Sequence, residues 1–173
     1  MIFPPLSPIS VTVVARRFSE AGKYDLAIEQ FRKALEMDPN HAPAHTNLGS
    51  TYLAMGKHEE AIVELEKAKA LDSSPERRRL ALLAYAYAAS GKRDEAQKTL
   101  DEFNGLAKQR YIPPMNFAII YAGLGEKDQA FEWLEKAYKD RSGPPYLKID
   151  FPFNSLRSDP RFADFARRKG LAP

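Results

Sequence analysis

Between residues 8 and 144 apolar side chains recur at spacings of three and four, the period of an amphipathic helix. The stripe Leu48, Tyr52, Ala61, Leu65 and Ala68 is one example, and a glycine interrupts it at position 56. That interruption returns. Gly22, Gly56, Gly91 and Gly125 stand at intervals of 34, 35 and 34 residues, and Phe18, Tyr52, Tyr87 and Tyr121 precede them by four. Ala27, Ala61, Ala96 and Ala130 follow by five, and Phe31, Leu65, Leu100 and Leu134 come four residues later. Four columns in step over four copies predict an all-α chain of repeated helix–turn–helix units. Each glycine closes one helix in a left-handed conformation that a Cβ would strain. The aromatic before it and the alanine after it are expected on facing helices, a large ring against a methyl group, so that two axes approach closely.

A 34-residue helix–turn–helix unit with these columns resembles the tetratricopeptide repeat. Ala15, Gly49, Ala84 and Ala118 match that family's small residue in the first helix of each repeat, and Val14, Leu48, Leu83 and Phe117 match the large residue before it. Ala34, Ala68 and Ala137 match the small residue late in the second helix, and Pro39 closes the first repeat. The resemblance implies a right-handed α–α superhelix of four repeats over 8–41, 42–75, 77–110 and 111–144. Residues 1–7, with Pro4 and Pro5, read as an extended lead-in. Three departures stand out: Phe103 at the third repeat's late small position, Pro114 in place of a large residue, and His45 at the equivalent place in repeat two. Phe103 is expected to widen the packing between repeats three and four, and Pro114 to delay the start of its helix until after Pro113.

The repeat stops after residue 144. Residues 145–173 are expected to cap the open apolar end of the array. Ser158 or Asp159 can N-cap a helix near 160–169 with Pro160 in its first turn. Phe162, Phe165 and Ala166 form that helix's apolar face. Arg167, Arg168 and Lys169 suit its C-terminal end, and Gly170 stops it. Tyr146, Phe151, Phe153 and Leu156 read as apolar pegs on the last repeat. The tail also resembles the C-terminal ends of bacterial multidomain regulatory proteins that join such arrays to DNA-binding, kinase or cyclase modules.

Composition adds exclusions. The absence of cysteine rules out disulfides and thiolate metal sites, and fits a reducing compartment, so a cytoplasmic setting is expected. A net charge of +3 is mild for 173 residues and does not suggest a nucleic-acid binder. No stretch is long and apolar enough for a membrane helix. His41 and His45 lie four apart, a spacing that suits one metal, yet no third ligand follows, and a packed or solvated histidine is the simpler reading. With no phosphate-binding loop and no nucleophile elbow, neither an enzyme nor a cofactor is expected.

The resemblance implies that the first helix of each repeat lines a concave groove. By repeat position that lining comprises Thr12, Arg16, Thr46, Asn47, Ser50, Arg78, Leu82, Tyr85, Met115, Asn116 and Ile119, with Val13 beside them. Its N-terminal half is polar and its second half apolar. A protein or peptide ligand, acidic and partly apolar, is the expected partner, with the chain itself a monomer or weak homo-oligomer. Arg78 either meets such a ligand or is a solvated basic helix end offset by Glu76. The clamp by which some family members hold the acidic tail of heat-shock chaperones needs lysine, asparagine and arginine at positions that here carry Thr12, Arg16, Asn47, Arg78 and Leu82. Only Asn47 matches and Arg78 keeps the charge, so chaperone-tail binding is not expected. The alternative is a self-associating or spacer module of a larger regulatory protein.

Overall fold

The computed structural model describes residues 7–72, 77–140 and 151–168, the side chain of Phe151 excepted. Among them there are nine α-helices and one 310 helix, and no strand. The chain forms two compact units, residues 1–75 and 76–173.

The first unit holds α1 (Pro8–Glu20), α2 (Tyr24–Met37), α3 (Ala42–Ala54) and α4 (His58–Leu71). Helix α1 starts at Pro8 because Ser7 and Ser10 form a reciprocal capping box. Helices α1 and α2 pair, as do α3 and α4, and of the first pair α3 packs more on α2 than on α1. Val11, Ala34 and Ala44 bury one another between them, with Leu35 alongside. The α3–α4 crossing is close: a Cβ at Gly49 would stand 2.8 Å from Leu65 Cγ and 3.2 Å from the Ala61 carbonyl oxygen.

The second unit holds α5 (Arg77–Ala89), α6 (Arg93–Ala107), α7 (Pro114–Leu124), α8 (Lys127–Lys139), the 310 helix Phe151–Leu156 and α9 (Pro160–Arg168). Helix α7 begins at Pro114, directly after Pro113, as its proline pair requires. It pairs with α8, and of the preceding pair it packs chiefly on α5 and only lightly on α6. Phe103 explains the difference. Its fully buried ring meets Phe117 edge-on at 4.9 Å, filling the space that an alanine would leave for a closer helix.

The glycine columns resolve into one hydrogen-bond pattern used four times. Gly22, Gly56, Gly91 and Gly125 have φ of 72°, 73°, 81° and 76°. The residue after each (Lys23, Lys57, Lys92, Glu126) donates its N–H to the carbonyl of the column aromatic, Phe18, Tyr52, Tyr87 or Tyr121, at 2.9–3.0 Å. Each glycine N–H meets the carbonyl three residues back, at 2.9–3.3 Å. Together these are the paired bonds of a Schellman motif, which satisfies carbonyls that a helix end otherwise leaves open.

The tail continues the repeat in reduced form. Ser155 Oγ donates to the Ala122 carbonyl, Arg161 to Asp128 and Arg168 to Glu135, each pair 33 residues apart. The 310 helix thus lies on α7, and α9 follows α8, in the register of a fifth, shortened repeat. Phe153, Leu156 and Phe165 are buried with the core of this unit. Asp159 is the N-cap of α9: its Oδ1 accepts the Arg161 N–H at 3.0 Å. Tyr146, Lys169 and Gly170, along with the lead-in 1–6, lie outside the described residues.

Arg161 also grips Asp159 with two side-chain bonds of 2.9 and 3.0 Å and lies 4.5 Å over the Phe131 ring. Hydrogen bonds from the Arg161 side chain and then its backbone hold the Asp159 carboxyl at about 2, below its ordinary 3.8. A depressed carboxyl stabilises the folded state above its unfolded value, so this contribution is complete above about pH 4 and fades as pH falls toward 2. A carbon-detected NMR titration of Asp159 should find its midpoint near 2. A midpoint at the ordinary 3.8 would show that the Arg161 clamp does not form in solution.

Candidate binding surface of the repeats

The residues expected to line a groove divide by exposure. In the first unit Arg16 is exposed, Asn47 and Ser50 are partly exposed, and Thr12 and Thr46 are buried. Thr46 Oγ1 turns back to the Ala42 carbonyl at 3.1 Å, a bond within its own helix. Asn47 Nδ2 does the same with the Pro43 carbonyl at 2.8 Å, a bond that leaves the amide oxygen as an acceptor. In the second unit Arg78 is exposed and Tyr85 partly buried, whereas Leu82, Met115, Asn116 and Ile119 are enclosed. Met115 and Ile119 belong to the apolar core of that unit. Tyr85 lies against α7, where a Cβ on Gly123 would stand 2.8 Å from its Cα and Cδ2. Burial raises the Tyr85 phenol above its ordinary pKa.

Two features go beyond the groove lining expected from the repeat. Helix α1 presents Ile9 (66% exposed), Val13 (45%) and Val14 (46%). The counterparts of Val14 (Leu48, Leu83 and Phe117) are all buried, and α1 has no described helix before it. The second feature is that Arg79, not Arg78, is the enclosed arginine, 2% exposed. Consecutive residues on a helix point about 100° apart, and here Arg77 and Arg78 point outward while Arg79 points inward.

Helices α1 and α3 touch, and positions one repeat apart correspond on them. Val13 corresponds to Asn47, and Arg16 to Ser50, each pair 34 residues apart. Ser19 Oγ and Thr51 Oγ1 are 2.9 Å apart and tie the two helices together. Arg16 reaches Glu20 at 3.5 Å, with both side chains about half exposed. Such a pair contributes little and is readily exchanged for another carboxylate.

His41 and His45 are occupied by structure. His45 is 7% exposed; its Nδ1 lies 2.5 Å from Glu64 Oε2, and its Nε2 2.9 Å from the Pro39 carbonyl. A carbonyl only accepts, so Nε2 carries a proton. Glu64 is held in turn by Lys67 at 2.8 Å. His41 lies 4.0 Å from Asp38. Among the described residues no group of three or more histidine, aspartate or glutamate side chains could hold a metal ion. No helix among them is long and apolar enough to cross a membrane.

Models of the tetratricopeptide repeat match residues 19–72, 78–102 and 115–139, more than half of the chain taken together. This chain belongs to the tetratricopeptide-repeat family. A relative, small glutamine-rich tetratricopeptide repeat-containing protein 2 of Mycosarcoma maydis, is 32% identical over 72 residues. That match covers 42% of this chain and 20% of the relative, so the chain spans about a fifth of the relative's length. Repeats of this family serve generally as protein-interaction modules.

Proposed function

We propose that this tetratricopeptide-repeat chain is a non-enzymatic scaffold that holds a peptide segment of a partner protein against the exposed face of α1 and α3. The observation that carries this reading is the juxtaposition in the first unit. Ile9 and Val13, one helical turn apart and exposed, form an apolar strip. Arg16 continues that strip on α1, and Asn47 and Ser50, partly exposed, are the counterparts of Val13 and Arg16 on the adjoining α3. An extended peptide can place an apolar side chain on Ile9 and Val13. Its backbone can meet the Asn47 amide, and an acidic side chain can replace Glu20 at Arg16. The apolar contact supplies most of the affinity and the charged contact the orientation. The ligand class is therefore an acidic, partly apolar peptide, located on the first unit. The enclosed residues Leu82, Met115 and Ile119 serve packing in this reading.

The test is selection of a displayed random-peptide library on the full chain, counter-screened on Val13→Asp and Arg16→Glu variants. Selected peptides should be enriched in acidic and large apolar residues. Each substitution should weaken them by about tenfold, equivalent to about 1.4 kcal/mol. Peptides that bind both variants as tightly as the parent would place the binding surface elsewhere.

A further inference from the structure

Helix α3 begins without a side-chain cap. Asp38, in the turn before it, accepts the Asn40 N–H at 3.0 Å and does not reach the helix N-terminus. The side chain that ties this end of α3 to other elements is His45. Its Nε2 meets the Pro39 carbonyl in the α2–α3 turn, and its Nδ1 meets Glu64 on α4. Both groups are enclosed, the His45 side chain 8% exposed and that of Glu64 13%.

Two acceptors fix the number of protons in this tie. Nε2 donates to the carbonyl, which can only accept. At 2.5 Å a bare Nδ1 and a carboxylate would set lone pair against lone pair, so a second proton lies between them. Lys67 donates to the other Glu64 oxygen at 2.8 Å, as to a carboxylate, and this places the second proton on Nδ1. The ring in the closed tie is therefore the doubly protonated cation. His41, one helical turn earlier, is turned toward Asp38 at 4.0 Å. Helices α1 and α2 approach this end of α3 through Val11 and Ala34, which pack on Ala44 and bring no charge.

We propose that His45 is a proton-operated latch that holds the first turns of α3 against α4. When Nδ1 gives up its proton to water, two acceptors confront each other. The ring or Glu64 must then turn away, and the link from α3 to α4 is lost. Asn47 stands two residues further on and is bonded back to Pro43 in the same segment, so the latch sets its position. If α1 and α3 hold a peptide as proposed above, binding would follow the latch. That consequence rests on the earlier reading, whereas the latch itself does not.

The experiment needs no ligand. The full chain, labelled with 15N, would be followed from about pH 6 to about pH 9, the range in which histidine chemistry falls. Correlation of the ring nitrogens with the ring carbon-bound protons reports which nitrogen is protonated. At the acidic end both His45 nitrogens should carry protons. As pH rises Nδ1 should lose its proton, and the amides of Ala44, His45, Thr46 and Asn47 should shift with it. In Glu64→Gln the side-chain amide can donate to a neutral Nδ1, so the tie closes without the second proton. The same four amides should then hold their positions across the range. His41 is present in both proteins, so a shift that it causes appears in both. A bare Nδ1 at the acidic end, or a ring still doubly protonated at the alkaline end, would overturn the proposal. So would amide shifts of equal size in the parent and Glu64→Gln. The ring signals of the parent decide the matter even without the variant.

Discussion

Removing residues 145–173 is expected to lower the melting temperature of the chain by more than about 10 °C and to make it self-associate. The basis is the shortened fifth repeat. Phe153, Leu156 and Phe165 are 1%, 0% and 1% exposed, and replacing a single buried phenylalanine by alanine costs about 3–5 kcal/mol. In a domain of this size each kcal/mol moves the midpoint by several degrees. Deletion also uncovers part of α7 and α8, including Phe131, which Arg161 overlies. An apolar face opened in this way promotes association. Calorimetry and light scattering would measure both effects. A truncated chain that melted within about 2 °C of the parent and stayed monomeric would show that the tail is a passenger.

Ala61→Leu should destabilise the chain by about 1–3 kcal/mol through overpacking, and Ala96→Leu by a similar amount. Both alanines are fully buried at helix crossings. At the first crossing the space is measurable, since Gly49 has no room even for a methyl group beside Leu65 and the Ala61 carbonyl. The three extra carbons of leucine must push α3 and α4 apart or leave their preferred rotamers. Circular dichroism melts would report the change. Midpoints unchanged within error would mean that these alanines do not face the paired helix.

Much of the fold was legible because it rests on local rules that recur. Four left-handed glycines, each with an aromatic four residues earlier, are a Schellman motif written in sequence, and the motif sets where each helix pair turns. Pro114 and Asp159 mark helix starts by the same kind of local chemistry. What stayed hidden depends on contacts between distant residues. The register of the tail is carried by Arg161 with Asp128 and Arg168 with Glu135; these charged pairs belong to no repeated column. The shift of α7 toward α5 follows from the volume of Phe103, whose presence was visible but whose direction of effect was not. Helix α7 itself, Pro-Met-Asn-Phe-Ala-Ile-Ile-Tyr-Ala-Gly-Leu, is apolar on nearly every side, so its sequence does not separate a core face from a groove face. Met115 and Ile119 prove to be core for that reason. Val14 is the converse case. Its column predicts burial, but burial there requires a helix on the outer side, and α1 has none among the described residues.

The most direct test of the binding account is a chemical-shift map. An acidic, partly apolar peptide selected on the full chain would be titrated into the isotope-labelled protein at moderate salt. The account predicts that the largest amide perturbations cluster at Ile9, Val13 and Arg16 on α1 and at Asn47 and Ser50 on α3. The Arg16 signals should move further as the ligand gains carboxylates. Perturbations confined to other helices, with the α1 and α3 signals unmoved at saturation, would contradict it.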